Sequence, residues 1–414
     1  MTTAAHEIDI LGPEAIRDPS RYFSRLREEG NPVLWDTRYR SWIVTSHAAI
    51  NEAIADPRFS SDRIAPFIER KLAGPDVDPA IRLAFDVLKN WMVFQDDPSH
   101  ARLRRLVSKA FTPRSIANIE AAVVVKSTAL AAALPKNGRF DLIAEFTYPL
   151  PVFVIAEMLG VPEENRARFK DWAEEIAPVV SGGMDDPARY DRAGAAMAEL
   201  VEFFTGLLDH YAANPQDNLL TALAESRGGE EPLTQLEVLA FCTLLMFAGH
   251  ETTANLISSS MLAMCQHPDQ MELLRSGKVE PAKAVEEFLR WDGPGKSITR
   301  VMGEDAEFRG QHLKKGQRVF LVLAAGNRDP DVFAGPDELR LDREDAKKHL
   351  GFGGGGHFCM GASLARLETR IALPILLEAL PDVRLASGVE LEWQQVLNTR
   401  GLTELWLETG TGTA

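Results

Sequence analysis

The chain has 414 residues, of which 45% are hydrophobic and 25% charged. That is an ordinary globular composition, and a chain of this length can bury most of its apolar surface. A net charge of −15 excludes nucleic acid as a partner of the surface as a whole.

The first eleven residues are acidic and lack an apolar core, unlike a signal peptide. The pattern over 21–29 predicts a helix, and the runs 33–35 and 42–45 read as a hairpin of strands. A helix over 48–55 should end before Asp56-Pro57. From His100 to about Gln266 the chain reads as almost continuous helix, broken at 111–113, 135–138, 160–162, 181–183 and 228–229. A helical pair follows over 268–291, then strand-like runs at 317–323 and 402–407. No strand–helix alternation appears, so the expectation is one domain over 1–414, mainly α with a small β portion. No run reaches the roughly 18 to 20 apolar residues of a membrane span, and the protein is expected to be soluble. The three cysteines, Cys242, Cys265 and Cys359, form no C-x-x-C pair and are odd in number, which fits a reducing cytosol. Cys242 and Cys265 lie in apolar helical sequence and read as core residues.

One helix stands out. Thr234-x-x-Glu237 is a capping box, and the helix it opens should run to about Gln266, a length of roughly 45–50 Å. Between Val238 and Pro268 its only carboxylate is Glu251, preceded by Ala248-Gly249 and followed by Thr252. A carboxylate in so apolar a helix is costly unless used or paired. Gly249 weakens the helix by about 1 kcal/mol against alanine, a cost that often has a packing or functional reason. A hydroxyl beside an acid is what a proton relay requires.

Cys359 follows the run Gly353–Gly356 and precedes a helix marked by Leu364, Leu367 and Ile371. A helix start favours the thiolate, the form that binds metal. Glycines let backbone approach something large and flat. A thiolate beside a flat ligand is the layout of a haem-thiolate site. A glycine run alone reads equally as a linker beside an inert thiol, but here Phe352, His357 and Gly361 complete a longer pattern.

The stretch Phe352-Gly-Gly-Gly-Gly-His-Phe-Cys-Met-Gly361 resembles the haem-binding signature of the cytochrome P450 family, Phe-x-x-Gly-x-His-x-Cys-x-Gly, matched at Phe352, Gly355, His357, Cys359 and Gly361. The resemblance covers nearly the whole chain. It implies the cytochrome P450 fold, with a long central helix crossing over haem b and Cys359 as axial thiolate to the iron. Ala248-Gly-His-Glu-Thr252 is similar to the family's oxygen-binding motif. By resemblance, Gly249 opens a groove over the haem, Thr252 steadies bound oxygen and Glu251 helps pass protons. His100 and Arg104, in Asp97-Pro-Ser-His-Ala-Arg, match the propionate-binding helix; Arg300 and His357 match further propionate ligands. Glu287-Phe-Leu-Arg290 matches the family's buried pair and is assigned to structure. Many members complete that pair with an arginine where this chain has Glu338, so either Arg340 substitutes or the network closes differently.

The implied activity is a soluble, cytoplasmic monooxygenase that inserts one oxygen atom from O2 into a small to medium hydrophobic substrate. No fused reductase is expected, so NAD(P)H acts indirectly, through a ferredoxin reductase and a ferredoxin. Arg102, Arg105, Lys109, Arg114 and Arg366 either dock that acidic partner or form a solvated basic face. By resemblance the pocket draws on Trp91, Phe94, Leu244, Ala248, Lys296, Ser297 and Ile298, mostly apolar, which suits an aromatic or terpenoid-like guest. Lys296 either binds a substrate carboxylate or points to solvent, as most lysines do. A peroxide-driven relative would tend to lack the Glu251–Thr252 pair, and a haem sensor needs no proton relay.

Overall fold

The structure is a computed structural model that describes residues 8–410 apart from 29, 73, 75–76, 109–112, 181–187 and 227–230. The predicted breaks at 181–183 and 228–229, residues 111–112 of the predicted break at 111–113, and Lys109 fall outside the described residues, as does the side chain of Arg114. The chain divides into two compact units, neither continuous in sequence: Met1–Ser60, Val123–Leu150 and Thr252–Ala414 make the first, Ser61–Ala122 and Pro151–Glu251 the second.

The first unit carries the β structure. The expected hairpin is present as β1 (Val33–Asp36) and β2 (Ser41–Val44), paired antiparallel from Val33↔Val44 to Asp36↔Ser41. The Asp36 carboxylate accepts the N–H groups of Arg38 and Tyr39 and so closes the turn. Trp35 and Trp42, opposite each other, meet edge to face at 5.1 Å. α1 (His47–Ala55) follows, capped by the Ser46 side chain, which accepts the Ala49 N–H, and it ends at Asp56 as Pro57 dictates.

The hairpin extends into a five-stranded sheet with β3 (Phe59–Ser60), β4 (Ile298–Met302) and β5 (Arg318–Leu321), in the order β1-β2-β5-β4-β3. The β2–β5 pairing is parallel, Ser41 opposite Arg318. Its face packs Val33, Trp42, Val44, Ile50, Phe59, Val319 and Leu321 into one core. The strand expected over 402–407 lies instead at Trp406–Thr409, joined to Gly138–Asp141 and Arg384–Leu385 in a separate three-stranded sheet. Each partner there spans only two to four residues, too short for local alternation to reveal.

The second unit is helical. It includes α2 (Ser99–Ser108) and most of α3 (Pro149–Leu159). α4 (Gln235–Gln266) begins at the predicted capping box: Thr234 N–H donates to Glu237 Oε2 at 2.8 Å, and Glu237 N–H to Thr234 Oγ1 at 3.2 Å. Its 32 residues give a length of about 48 Å. Up to Glu251 it belongs to the second unit and from Thr252 to the first. The first unit also holds α5 (Pro281–Asp292) and α6 (Ala362–Ala379). Among the described residues, no helix is long and apolar enough to cross a membrane.

Candidate active site

Cys359 differs from the other two cysteines in its exposure. Cys242 is buried and Cys265 half-buried; burial pushes both thiols up, Cys265 to about 12, so neither is a ready thiolate. Cys359 is exposed, just ahead of α6. Its N–H donates to the Phe352 carbonyl at 3.0 Å, and its carbonyl accepts the Ala362 N–H at 3.3 Å. The loop is therefore tied at its start and at its exit into the helix. A Cβ at Gly361 would lie 3.9 Å from the Cys359 sulfur, so the thiol sits over the helix mouth.

The glycines of this loop answer to the protein itself. Gly353 and Gly355 have φ of +67° and +58°, the left-handed region that glycine enters without strain. Side chains at Gly354 and Gly355 would press on Ile54 of α1, and one at Gly353 on Ile298 of β4 at 3.2 Å. The run is thus clamped against the sheet unit on one face, and it is not a free linker. Arg300, buried in β4, donates to the Thr299 carbonyl at 3.1 Å. His357 is half-buried within the loop.

A second set of side chains stands behind the loop. Glu287 and Arg290 of α5 are both fully buried and bidentate, at 2.7 and 2.8 Å. Arg290 also donates to the carbonyls of Asn327, Pro336 and Glu338. The arginine that closes this network is neither at 338 nor at 340. Arg343 donates to Glu287 Oε1 at 3.1 Å and to the carbonyls of Ala334, Gly335 and Glu338. Arg340 supplies only its backbone N–H to Glu287, and its side chain faces water. A turn, Arg343 N–H to Arg340 carbonyl, swings the later residue inward.

Lys296 departs from both sequence expectations. Its side chain is neither solvated nor available to a substrate acid. It is 3% exposed, and Nζ donates to the Val396 carbonyl at 2.6 Å. It borders a small cavity with Ile10, Phe23, Ile43, Phe320 and Leu397. Burial, with Arg400 nearby, pulls the ammonium down to about 7. Ser297 is likewise spent on the Leu397 carbonyl.

In the second unit, His100 and Arg104 share one face of α2; His100 is buried, with Nδ1 3.2 Å from the Asp97 carboxylate. The basic side chains of α2 that were candidates for docking are matched internally, Arg102 to Glu237 at 2.7 Å and Arg105 to Glu231 at 2.6 Å. Trp91 is buried, its indole N–H given to Thr243 of α4 at 2.9 Å, and it stacks on Phe94 and tilts against Phe247. Leu244 is buried next to this cluster in sequence. A Cβ at Gly249 would come within 2.5 Å of Ile155 of α3, so close helix packing alone requires glycine there. His250 is buried and bonded to the Met246 carbonyl; burial outweighs that bond and pulls it down to about 4, so it is neutral. Ala248 is exposed between half-buried Phe247 and Gly249, and Glu251 and Thr252 are half-buried on the same side, three and four residues on.

These donors fit haem. Among the described residues, no three His, Cys, Asp or Glu side chains gather to hold a bare ion. A single accessible cysteine suits iron that arrives already held by four ring nitrogens, and guanidinium and imidazole groups suit carboxylates.

Comparison with known proteins agrees. A family model described as Cytochrome P450 matches residues 69–277 and 282–382. The Vitamin D(3) 25-hydroxylase of Pseudonocardia autotrophica is 37% identical over 409 residues, 98% of this chain and 97% of that protein. Cytochrome P450 CYP107DY1 of Priestia megaterium is 36% identical over 405 residues, 96% of this chain and 97% of that one. Among solved structures, P450BioI in complex with hexadec-9Z-enoic acid ligated acyl carrier protein aligns with a TM-score of 0.86 at 32% identity, covering 96% of this chain and 99% of that one. The likeness runs end to end, and the chain belongs to the cytochrome P450 family, monooxygenases that work with haem b, O2 and NAD(P)H electrons passed through partner proteins.

Proposed function

We propose that this enzyme hydroxylates a neutral, hydrophobic guest of small to medium size, aromatic or terpenoid-like, with Cys359 as the thiolate that would hold the haem iron. Carrying that reading is the contrast among the three cysteines: one buried and one half-buried, both with raised pKa, and one exposed at a glycine-built helix mouth. Haem, when bound, supplies the activation of O2. What the chain supplies is placement. His100, Arg104, Arg300 and His357 are the propionate donors. Glu251 and Thr252 deliver protons from α4, the acid passing them and the hydroxyl holding the end of the relay. Phe352 and Gly361 set the Cys359 loop, and the exposed Ala248 leaves room on α4.

The preference for a neutral guest rests on Lys296. The one ammonium in the segment Gly293–Thr299 is occupied by the Val396 carbonyl, so no free cation there meets a carboxylate. The names of the relatives, a Vitamin D(3) 25-hydroxylase and a complex with hexadec-9Z-enoic acid ligated acyl carrier protein, are consistent with apolar guests.

Electrons come from a small acidic ferredoxin. The Arg105–Glu231 pair is exposed on both sides and worth under about 1 kcal/mol, so an acidic partner can replace it, whereas the Arg102–Glu237 pair is part-buried. Added salt should then slow electron transfer; rates that ignore it would remove the acidic partner from the account. With no disulfide among its three cysteines, the protein suits a cytoplasmic location.

A ligand screen that follows the iron's spin state tests the substrate class, using a neutral guest and its acid in wild type and Lys296→Ala. The neutral guest should bind more tightly in both. An acid that binds better in wild type, and loses that advantage in the variant, would reverse the assignment. Turnover by peroxide alone, at the rate reached with a reductase system, would replace the proposed reaction class.

A further inference from the structure

We propose that Glu286 is a positioning residue for the cysteine ligand, acting through Arg366, His349 and Phe352; this rests on the assignment of Cys359 as the axial thiolate. Glu286 lies beside Glu287 on α5 but faces a different set of partners. Its Oε1 accepts Arg366 Nε at 2.6 Å, and its Oε2 accepts Arg366 Nη2 at 3.0 Å and His349 Nε2 at 3.2 Å. The carboxylate is 5% exposed. The guanidinium it grips lies 4.6 Å from the centre of the Phe352 ring, and the imidazole of His349 lies 5.7 Å from the same ring. Phe352 in turn supplies the carbonyl that accepts the Cys359 N–H. The ring of Phe358, next to the cysteine, stands edge to face on Phe352 at 6.1 Å. One carboxylate therefore fixes two cationic or polar groups, both of which brace the aromatic residue that holds the ligand's backbone.

The geometry also sets the histidine tautomer. Gly351 N–H donates to His349 Nδ1 at 3.0 Å, so Nδ1 is the acceptor and Nε2 carries the proton given to Glu286. Arg366 is consequently an internal strut with one edge in water; the docking role considered for it from sequence competes with this one. Removing the Glu286 charge would leave Arg366 free to swing off Phe352, and the loop would lose its back wall. Residues that orient a metal ligand in this way cost about tenfold or more in metal retention when changed.

The test uses the holoenzyme and two readouts other than turnover: the absorption of the ferrous carbonyl form, which separates thiolate from thiol ligation, and the rate of haem transfer to a scavenging globin. Glu286→Gln should raise the thiol-ligated fraction and speed haem transfer about tenfold. Arg366→Lys keeps the charge but loses the fork, and should fall between that variant and wild type. Glu344→Gln, which removes an exposed surface pair with Lys283, should change neither. If Glu286→Gln yields no holoenzyme, Arg366→Lys decides the matter by the same two readouts. Wild-type spectra and transfer rates in Glu286→Gln, with or without a lower urea midpoint, would overturn the proposal and leave Glu286 a structural residue. Failure of the underlying assignment looks different: wild type itself would then lack the thiolate band.

Discussion

Two neighbouring helices of the first unit handle buried acid in opposite ways. On α5, Glu286 and Glu287 are each saturated by basic partners, and the two arginines on Glu287, Arg290 and Arg343, are also bonded to backbone carbonyls. On α6, Glu368 is fully buried and neither of its oxygens has a hydrogen-bond partner. Burial raises Glu286 too, but the bonds from His349 and Arg366 override it and hold that carboxyl at about 2. At Glu368 nothing opposes burial, and its pKa stands well above the ordinary carboxylate value. A buried acid is thus either matched and ionised or unmatched and neutral, and the matched ones here surround the loop that must keep its shape.

The most severe way to break the matched side is to remove one partner. Arg290→Ala or Arg343→Ala leaves Glu287 charged, buried and short of donors, a loss of roughly 3–5 kcal/mol. Arg340→Ala removes only an exposed side chain and should stay within about 0.5 kcal/mol of wild type. Urea unfolding of the three variants checks this. A loss at Arg340 equal to that at Arg343 would mean that the network closes through a different arginine. Acid gives a gentler version. Glu286 is held down in the folded protein, so its contribution is complete above pH 4.5 and is lost as pH falls towards about 2. In Glu286→Gln that part of the acid sensitivity should disappear.

The features legible in the sequence were those encoded over a few residues. The capping box at Thr234 opens α4, the proline after Asp56 ends α1, and the spacing of Phe352, His357, Cys359 and Gly361 marks one loop. What escaped was set by partners far along the chain. The parallel pairing of β2 with β5 joins segments over 270 residues apart, and no local alternation announces it. Arg343 takes the place expected near 338–340 because a single turn rotates it inward. Glu286 takes its partners, His349 and Arg366, from two other segments, which no local pattern announces. Lys296 reads as solvated because lysine usually is, and only the register of Gly293–Thr299 against Val396–Asn398 buries it.

Lys296 sharpens the comparison from the basic side. Its pKa falls to about 7 in the folded protein, against 10.5 for an ordinary lysine. Below pH 7 both states carry the proton and the burial cost is present in full. Between 7 and 10.5 the unfolded chain holds the extra proton, so this group makes stability rise with pH, by at most about 1.4 kcal/mol per unit. Lys296→Met should remove that slope. A variant that tracks wild type at every pH would place the ammonium in water.

Glu368→Gln is the smallest and most discriminating change, because it removes a titrating group without altering shape. A carboxyl whose pKa is raised on folding binds more protons folded than unfolded once pH exceeds 4.5, and from there rising pH costs stability. Glutamine does not titrate, so the variant should match wild type below 4.5 and gain on it above, by about 1 kcal/mol or more at pH 7. The gain should appear in urea midpoints with the slope unchanged, since nothing exposed is altered. The same swap on the matched helix, Glu287→Gln, must go the other way, because there the charge is what its arginines bind. If Glu368→Gln were instead destabilising across the whole pH range, the acid would be using its charge, held by buried water in the gap between its oxygens and the protein, and α6 would join α5 on the matched side.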